Sequence, residues 1–163
     1  MIDLNAKIPG APNFRYGEFT KSSTAIRHGI NNIPESRDQW RNIEILARNV
    51  LQPIREEFGR LRILSGYRSR ELNTLIKGSS TSNHCFGYAA DIEPLEQDIT
   101  LLDVLIFIHD KLGYRELIAE YFPNGWIHVA YRKGENTKQL KLKDDSHHYA
   151  RVSKNYIIDL YKD

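Results

Sequence analysis

Between Ser36 and Gly59 apolar residues recur every three or four positions: Trp40, Ile43, Ala47, Val50, Ile54 and Phe58. That step builds one apolar stripe, so the segment reads as the long core helix. Ser36 with Gln39 supplies a capping-box start and Gly59 a stop. Pro53 lies inside the run, lacks an N–H and faces the carbonyl of Asn49, so a kink or a split is expected there. The stretch DITLLDVLIFIHDKLG, residues 98–113, has an acidic start, an apolar middle and a closing glycine, which predicts a second buried helix. Shorter helices are expected over residues 20–29, stopped by Gly29, and over residues 69–78, capped by Ser69 and ended by Gly78.

Period-two patterns mark the strands. RLRILSGY (60–67) alternates and runs into a turn at Gly66; the polar loop GSSTSNH then delivers the chain to a short strand, YAADIE (88–93). ELIAEY (116–121) and GWIHVAY (125–131) read as a hairpin joined through FPN. Residues 1–15, with Pro9, Gly10 and Pro12, read as an irregular arm. Residues 133–163 read as a C-terminal extension with one strand at 139–143 and a short terminal helix or strand. Helices and strands mix without regular βαβ alternation, so the expected class is α+β, an antiparallel sheet with helices packed on one side.

Length and composition narrow the function. A chain of 163 residues is expected to be one domain, 1–163, and its 40% hydrophobic content supports a core without disulfides. The 23 basic and 21 acidic side chains are interspersed, with no basic block, so no nucleic-acid partner is expected. No window approaches the roughly 20 apolar residues of a membrane span, and the N-terminus lacks a basic flank and apolar run. The expectation is a monomer made in the cytoplasm, with no membrane anchor or export signal.

The candidate chemistry sits on two of the strands. Alternation in GWIHVAY puts Ile127, Val129 and Tyr131 on one face, and Trp126, His128 and Ala130 on the other. In YAADIE it separates Tyr88, Ala90 and Ile92 from Ala89 and Asp91. His128 and Asp91 each stand beside an alanine, which leaves room, and His84 lies seven positions before Asp91 with Gly87 between. A His–Asp–His set suits Zn²⁺, which in catalytic sites takes three protein ligands and keeps a fourth position open. By spacing alone a turn-capping Asp91 and structural histidines remain open. Cys85 reads as a small buried hydrophobe, His28 and His109 as surface residues, and His147 and His148 as solvated neighbours.

The motifs SGYRSRELN, SSTSNHCFGYAADIEP and GWIHVAY, in this order, resemble the zinc D-alanyl-D-alanine carboxypeptidase family of peptidoglycan metallopeptidases. That family includes D,D-dipeptidases and phage L-alanyl-D-glutamate endolysins, and its fold is Hedgehog-like. Ser82, His84, Gly87, Ala89, Asp91, Trp126 and His128 occupy its pattern positions, and the segments EFTKSSTAIRHGINNIP and NVLQPIREEFG look like its phage-type branch. The resemblance covers roughly residues 14–132 and implies that His84, Asp91 and His128 hold Zn²⁺. It further implies that Arg68 polarises the scissile carbonyl or stabilises the oxyanion and that Ser82 binds the substrate backbone. Trp126, on the His128 face, would form a wall of the cleft.

One position departs from the pattern. Many relatives carry a carboxylate three positions before the last histidine, and here that residue is Gly125. Glu120, at the end of the preceding strand, is the nearest carboxylate and resembles a glutamate of the phage-type branch; from a paired strand it would serve as general base. The expected function is hydrolysis of an amide bond in the peptide stem of peptidoglycan, at the cell wall, as a carboxypeptidase or an endolysin-type endopeptidase, phage-encoded or virion-carried. The competing expectations are a non-catalytic zinc-fold protein that binds or builds, and a metal-independent virion component.

Overall fold

The computed structural model describes residues 2–146 and 148–162. The long apolar stripe forms as expected, as a helix from residue 37 to residue 58 whose residues Ile43, Ala47, Val50 and Ile54 are all at most 1% exposed. Ser36 and Gln39 close a reciprocal capping box at its start, an arrangement typically worth about 1 kcal/mol. Pro53 neither breaks nor splits it. Helix α3 (Arg37–Leu46) widens into one π-turn (Ala47–Leu51) before α4 (Gln52–Phe58), and the backbone stays right-handed at Ala47, Leu51 and Gln52. The wide turn, with the Gln52 N–H on the Ala47 carbonyl, falls just where the proline removes a regular bond.

The first residues are not an irregular arm. β1 (Lys7–Ile8) and β2 (Ala11–Arg15) form an antiparallel pair, and Ile8, Ala11 and Phe14 are each at most 2% exposed in the core. The turn residues were visible in the sequence, but burial of these three side chains is what orders the segment. Two short helices follow, α1 (Tyr16–Thr20) and α2 (Ser23–His28), the second ended by left-handed Gly29.

The main sheet has six strands in the order β3 (Leu61–Ser65), β4 (Ala89–Pro94), β6 (Trp126–Ala130), β5 (Glu116–Glu120), β7 (Gln139–Lys143) and β8 (Tyr149–Arg151). All pairings are antiparallel except β5 with β7, which is parallel. The fold is therefore α+β with a mixed sheet, and the extension beyond residue 132 supplies β7, β8 and the terminal helix α7 (Lys154–Tyr161).

Alternation divides the sheet as the sequence implies. Ala90, Ile92, Leu117, Ala119, Ile127 and Val129 form a fully buried face, joined in the core by Val104, Leu105 and Ile108 of α6 (Leu101–Lys111) and by the long helix. The opposite face carries Asp91, His128, Ile118, Glu116 and Glu120. Arg68, in the loop after β3 and just before helix α5 (Arg70–Leu75), and His84, in a 3-10 turn, Asn83–Phe86, reach Asp91 on this face. Among the described residues no helix is long and apolar enough to cross a membrane.

Candidate metal centre

Strands β4 and β6 pair so that Asp91 faces His128 directly. Directly opposed residues on antiparallel strands share a face with Cβ atoms about 4.5–5.5 Å apart, close enough to act on one ion. His84 descends onto them from the 3-10 turn. The closest approaches form a triangle: His128 Nδ1 to Asp91 Oδ1 2.9 Å, His84 Nε2 to His128 Nδ1 3.1 Å, and His84 Nε2 to Asp91 Oδ1 3.3 Å. All three residues are buried, and they form a group whose ligand atoms could hold one metal ion.

The donor set fits zinc. A tetrahedral ion with bonds of about 2.0–2.1 Å spaces its ligand atoms about 3.3 Å apart, close to the triangle found here. The protons point the same way. His84 Nδ1 lies 2.6 Å from the Gly66 carbonyl, which can only accept, so Nδ1 carries the hydrogen and Nε2 presents a lone pair to the centre. Without a cation, that lone pair and the Asp91 oxygen share at most the proton on His128. Burial drives the His84 imidazolium down, towards the neutral form. Burial alone would raise Asp91, but the two imidazoles outweigh it and hold the carboxyl well below the usual carboxylate range. Burial also opposes charge on His128, yet the bond to Asp91 and the Glu116 carboxylate near Nε2 outweigh it and lift its pKa to about 9.

The surroundings hold each ligand in place. Arg68 Nη2 donates to Asp91 Oδ2 at 2.7 Å, while its Nε donates to Ser65 Oγ at 2.9 Å and its backbone N–H to the His84 carbonyl at 3.2 Å. Arg68 thus braces both the carboxylate ligand and the His84 turn, and its other terminal nitrogen bonds no described residue. Gly66 is packed so tightly that a Cβ would lie 2.6 Å from the Phe19 carbonyl oxygen. This contact fixes the carbonyl that orients His84.

Glu116 was not singled out from the sequence. Its Oε1 lies 3.6 Å from His128 Nε2, the ring nitrogen turned away from the triangle, and 3.3 Å from Asn83 Nδ2. Lys141 holds the other oxygen. The nearby His128 imidazole and the Lys141 bond, opposed by burial, depress the Glu116 pKa to about 2. A carboxylate behind a ligating imidazole fixes its orientation and basicity. The signal was present: alternation along β5 puts Glu116, Ile118 and Glu120 on one face, and Ile118 pairs with His128.

Glu120 pairs with Trp126 on the same face, one pleat along from His128, and is 6% exposed. Its Oε2 accepts from Lys143 Nζ at 2.8 Å. Trp126 packs against Tyr121 with ring centroids 5.2 Å apart, and its buried Nε1 has no hydrogen-bond partner among the described residues. Ser82 precedes the 3-10 turn, its side chain making no capping bond. Cys85 is buried outside the metal group, and burial raises its thiol pKa. His28 and His148 are exposed, His109 pairs with Asp110 at 2.8 Å, and His147 lies outside the described residues. Gly125 has a steric cause: a Cβ there would sit 1.8 Å from the Glu120 carbonyl oxygen, so no carboxylate-bearing residue fits this turn.

A family model described as Peptidase M15 matches residues 12–130, most of the chain and all of the site just built except the lysines of β7. The chain belongs to the Peptidase M15 family. Members of that family depend on zinc, and the buried His84–Asp91–His128 trio is the group suited to the ion. No curated protein matches the chain significantly.

Proposed function

We propose that the chain is a zinc metallopeptidase that hydrolyses an amide bond in the peptide stem of bacterial peptidoglycan, acting at the cell wall. The observation that carries the reading is the convergence of three buried ligand atoms, 2.9 to 3.3 Å apart, within a peptidase-family fold. His84 Nε2, Asp91 Oδ1 and His128 Nδ1 would hold Zn²⁺, which supplies Lewis-acid activation of water and of the scissile carbonyl.

The chain's own residues then divide the remaining work. Glu120 accepts a proton as water oxygen adds to the carbonyl carbon, and returns it to the amine nitrogen as the C–N bond breaks. Arg68 places a permanent charge beside the site, and its uncommitted nitrogen steadies the negative charge gathering on the carbonyl oxygen. Ser82 hydrogen-bonds the substrate backbone and Trp126 forms a wall of the cleft.

The test is mass spectrometry of purified peptidoglycan incubated with the protein, with and without a chelator. Release of terminal D-alanine identifies a carboxypeptidase, and scission within the stem an endopeptidase of endolysin type. Binding to the wall with no new amine termini would establish a non-catalytic zinc-fold protein instead, as in a virion component. Hydrolysis that survives complete metal removal would sink the metallopeptidase reading.

A further inference from the structure

Strand β7 lies beyond the span matched by the family model, yet it runs in register beside β5, with Glu120 paired to Lys143 and Ile118 to Lys141. Lys143 Nζ reaches Glu120 Oε2 at 2.8 Å, and the side chains of the pair are only 15% and 8% exposed. The same ammonium lies 5.0 Å from the ring centroids of Tyr121 and of Tyr149, the latter delivered by β8. Exposed lysine–glutamate pairs contribute little. Here the ammonium is boxed between two aromatic faces, which favours a fixed cation over a mobile one.

We propose that Lys143 is a positioning residue for Glu120, holding its carboxylate in one orientation so that it can accept a proton from the attacking water. The inference rests on the reading of Glu120 as general base. Other charged and titratable groups around Glu120 are Glu116 on its own strand, His128 on β6, Lys141 on β7, Tyr121 in the following turn and Tyr149 on β8. Burial opposes charge on Lys143, but the bond to Glu120 and the nearby Tyr149 outweigh it and raise its pKa, so the cation persists across the working range. Removing it would leave a buried carboxylate without the cation that fixes its orientation.

The test is the kcat and KM of amine release from purified peptidoglycan by zinc-loaded, full-length Lys143→Met and Lys143→Arg variants, with zinc content and thermal melting measured on each. Lys143→Met should lower kcat by about 10–100-fold with KM little changed, while Lys143→Arg restores most of it. Glu120→Gln separates the two readings. If Glu120→Gln keeps wild-type turnover, the general-base reading fails and the Lys143 role falls with it. If Glu120→Gln is inactive but folded and zinc-loaded Lys143→Met keeps wild-type kcat, only the Lys143 inference is overturned. Failure of both Lys143 variants to fold would also overturn it, since the pair would then be a purely structural brace.

Discussion

The carbonyl oxygen of Glu120 occupies the space that a side chain on residue 125 would need, 1.8 Å from the Cβ position. Strand β5 therefore ends, and β6 begins, with its own backbone filling the place where the resemblance would put a carboxylate. Gly125→Ala should destabilise the fold by about 1–3 kcal/mol through overpacking, and Gly125→Glu should be at least as costly without restoring any function lost by altering Glu120. Thermal melting of the single variants and turnover of Gly125→Glu/Glu120→Gln check this. A stable, active double variant would contradict it.

Glu120→Gln keeps the shape of the side chain and removes its capacity to take a proton. Turnover should fall by about 10²–10⁴-fold, with zinc content unchanged, because Glu120 lies outside the ligand triangle. Metal analysis alongside kinetics separates this from loss of the ion.

Asp91→Asn should strip the site of its only anionic ligand and leave Arg68 beside a neutral amide. Zinc affinity should drop by more than the ~10–100-fold that changes outside the ligand set cause, with activity lost in proportion. Equilibrium titration against a competing chelator measures it; zinc binding at wild-type strength would remove Asp91 from the ligand set.

Metal binding should be coupled to protons. The raised His128 pKa, from 6.5 to about 9, gives the metal-free protein a stabilising contribution that is fully present below pH 6.5 and lost as pH rises through about 9. Zinc needs the same nitrogen unprotonated, so its affinity should strengthen about tenfold per pH unit across that window and binding should release about one proton at pH 7. The gap in melting temperature between zinc-loaded and metal-free protein should widen from pH 6.5 to 8.5. Calorimetry in buffers of different ionisation enthalpy counts the proton, and a value near zero would contradict the assignment.

Gly66→Ala tests the hydrogen bond behind His84. A Cβ at 66 meets the Phe19 carbonyl oxygen at 2.6 Å, so the turn must shift and the carbonyl leaves His84 Nδ1. Zinc affinity should weaken about 10–100-fold in a protein that still folds, an outcome readable by titration and circular dichroism.

Much of this was legible in the chain because local patterns and local structure agreed. The Trp40-to-Phe58 stripe specified the core helix, and alternation in two strands put Asp91 and His128 on one face, their small neighbours leaving room for an ion. What stayed hidden depended on distant partners. Nothing within residues 7–15 shows that Ile8 and Phe14 will be buried, and Pro53 reads as a break unless the helix can spread into a π-turn. Glu116 looked like an ordinary strand residue until the register set it behind His128. Lys143 was invisible for a stronger reason: a parallel pairing between β5 and β7 leaves no hairpin signature in the sequence.

That parallel pairing also guards the molecule against itself. Without β7, the strand bearing Glu116 and Glu120 would be the sheet's rim, offering a row of unsatisfied amides to any passing copy. The rim is instead three-residue β8, ending at charged Arg151, too short to template a neighbour. A chain cut after residue 132 should keep its ligands yet stick to itself.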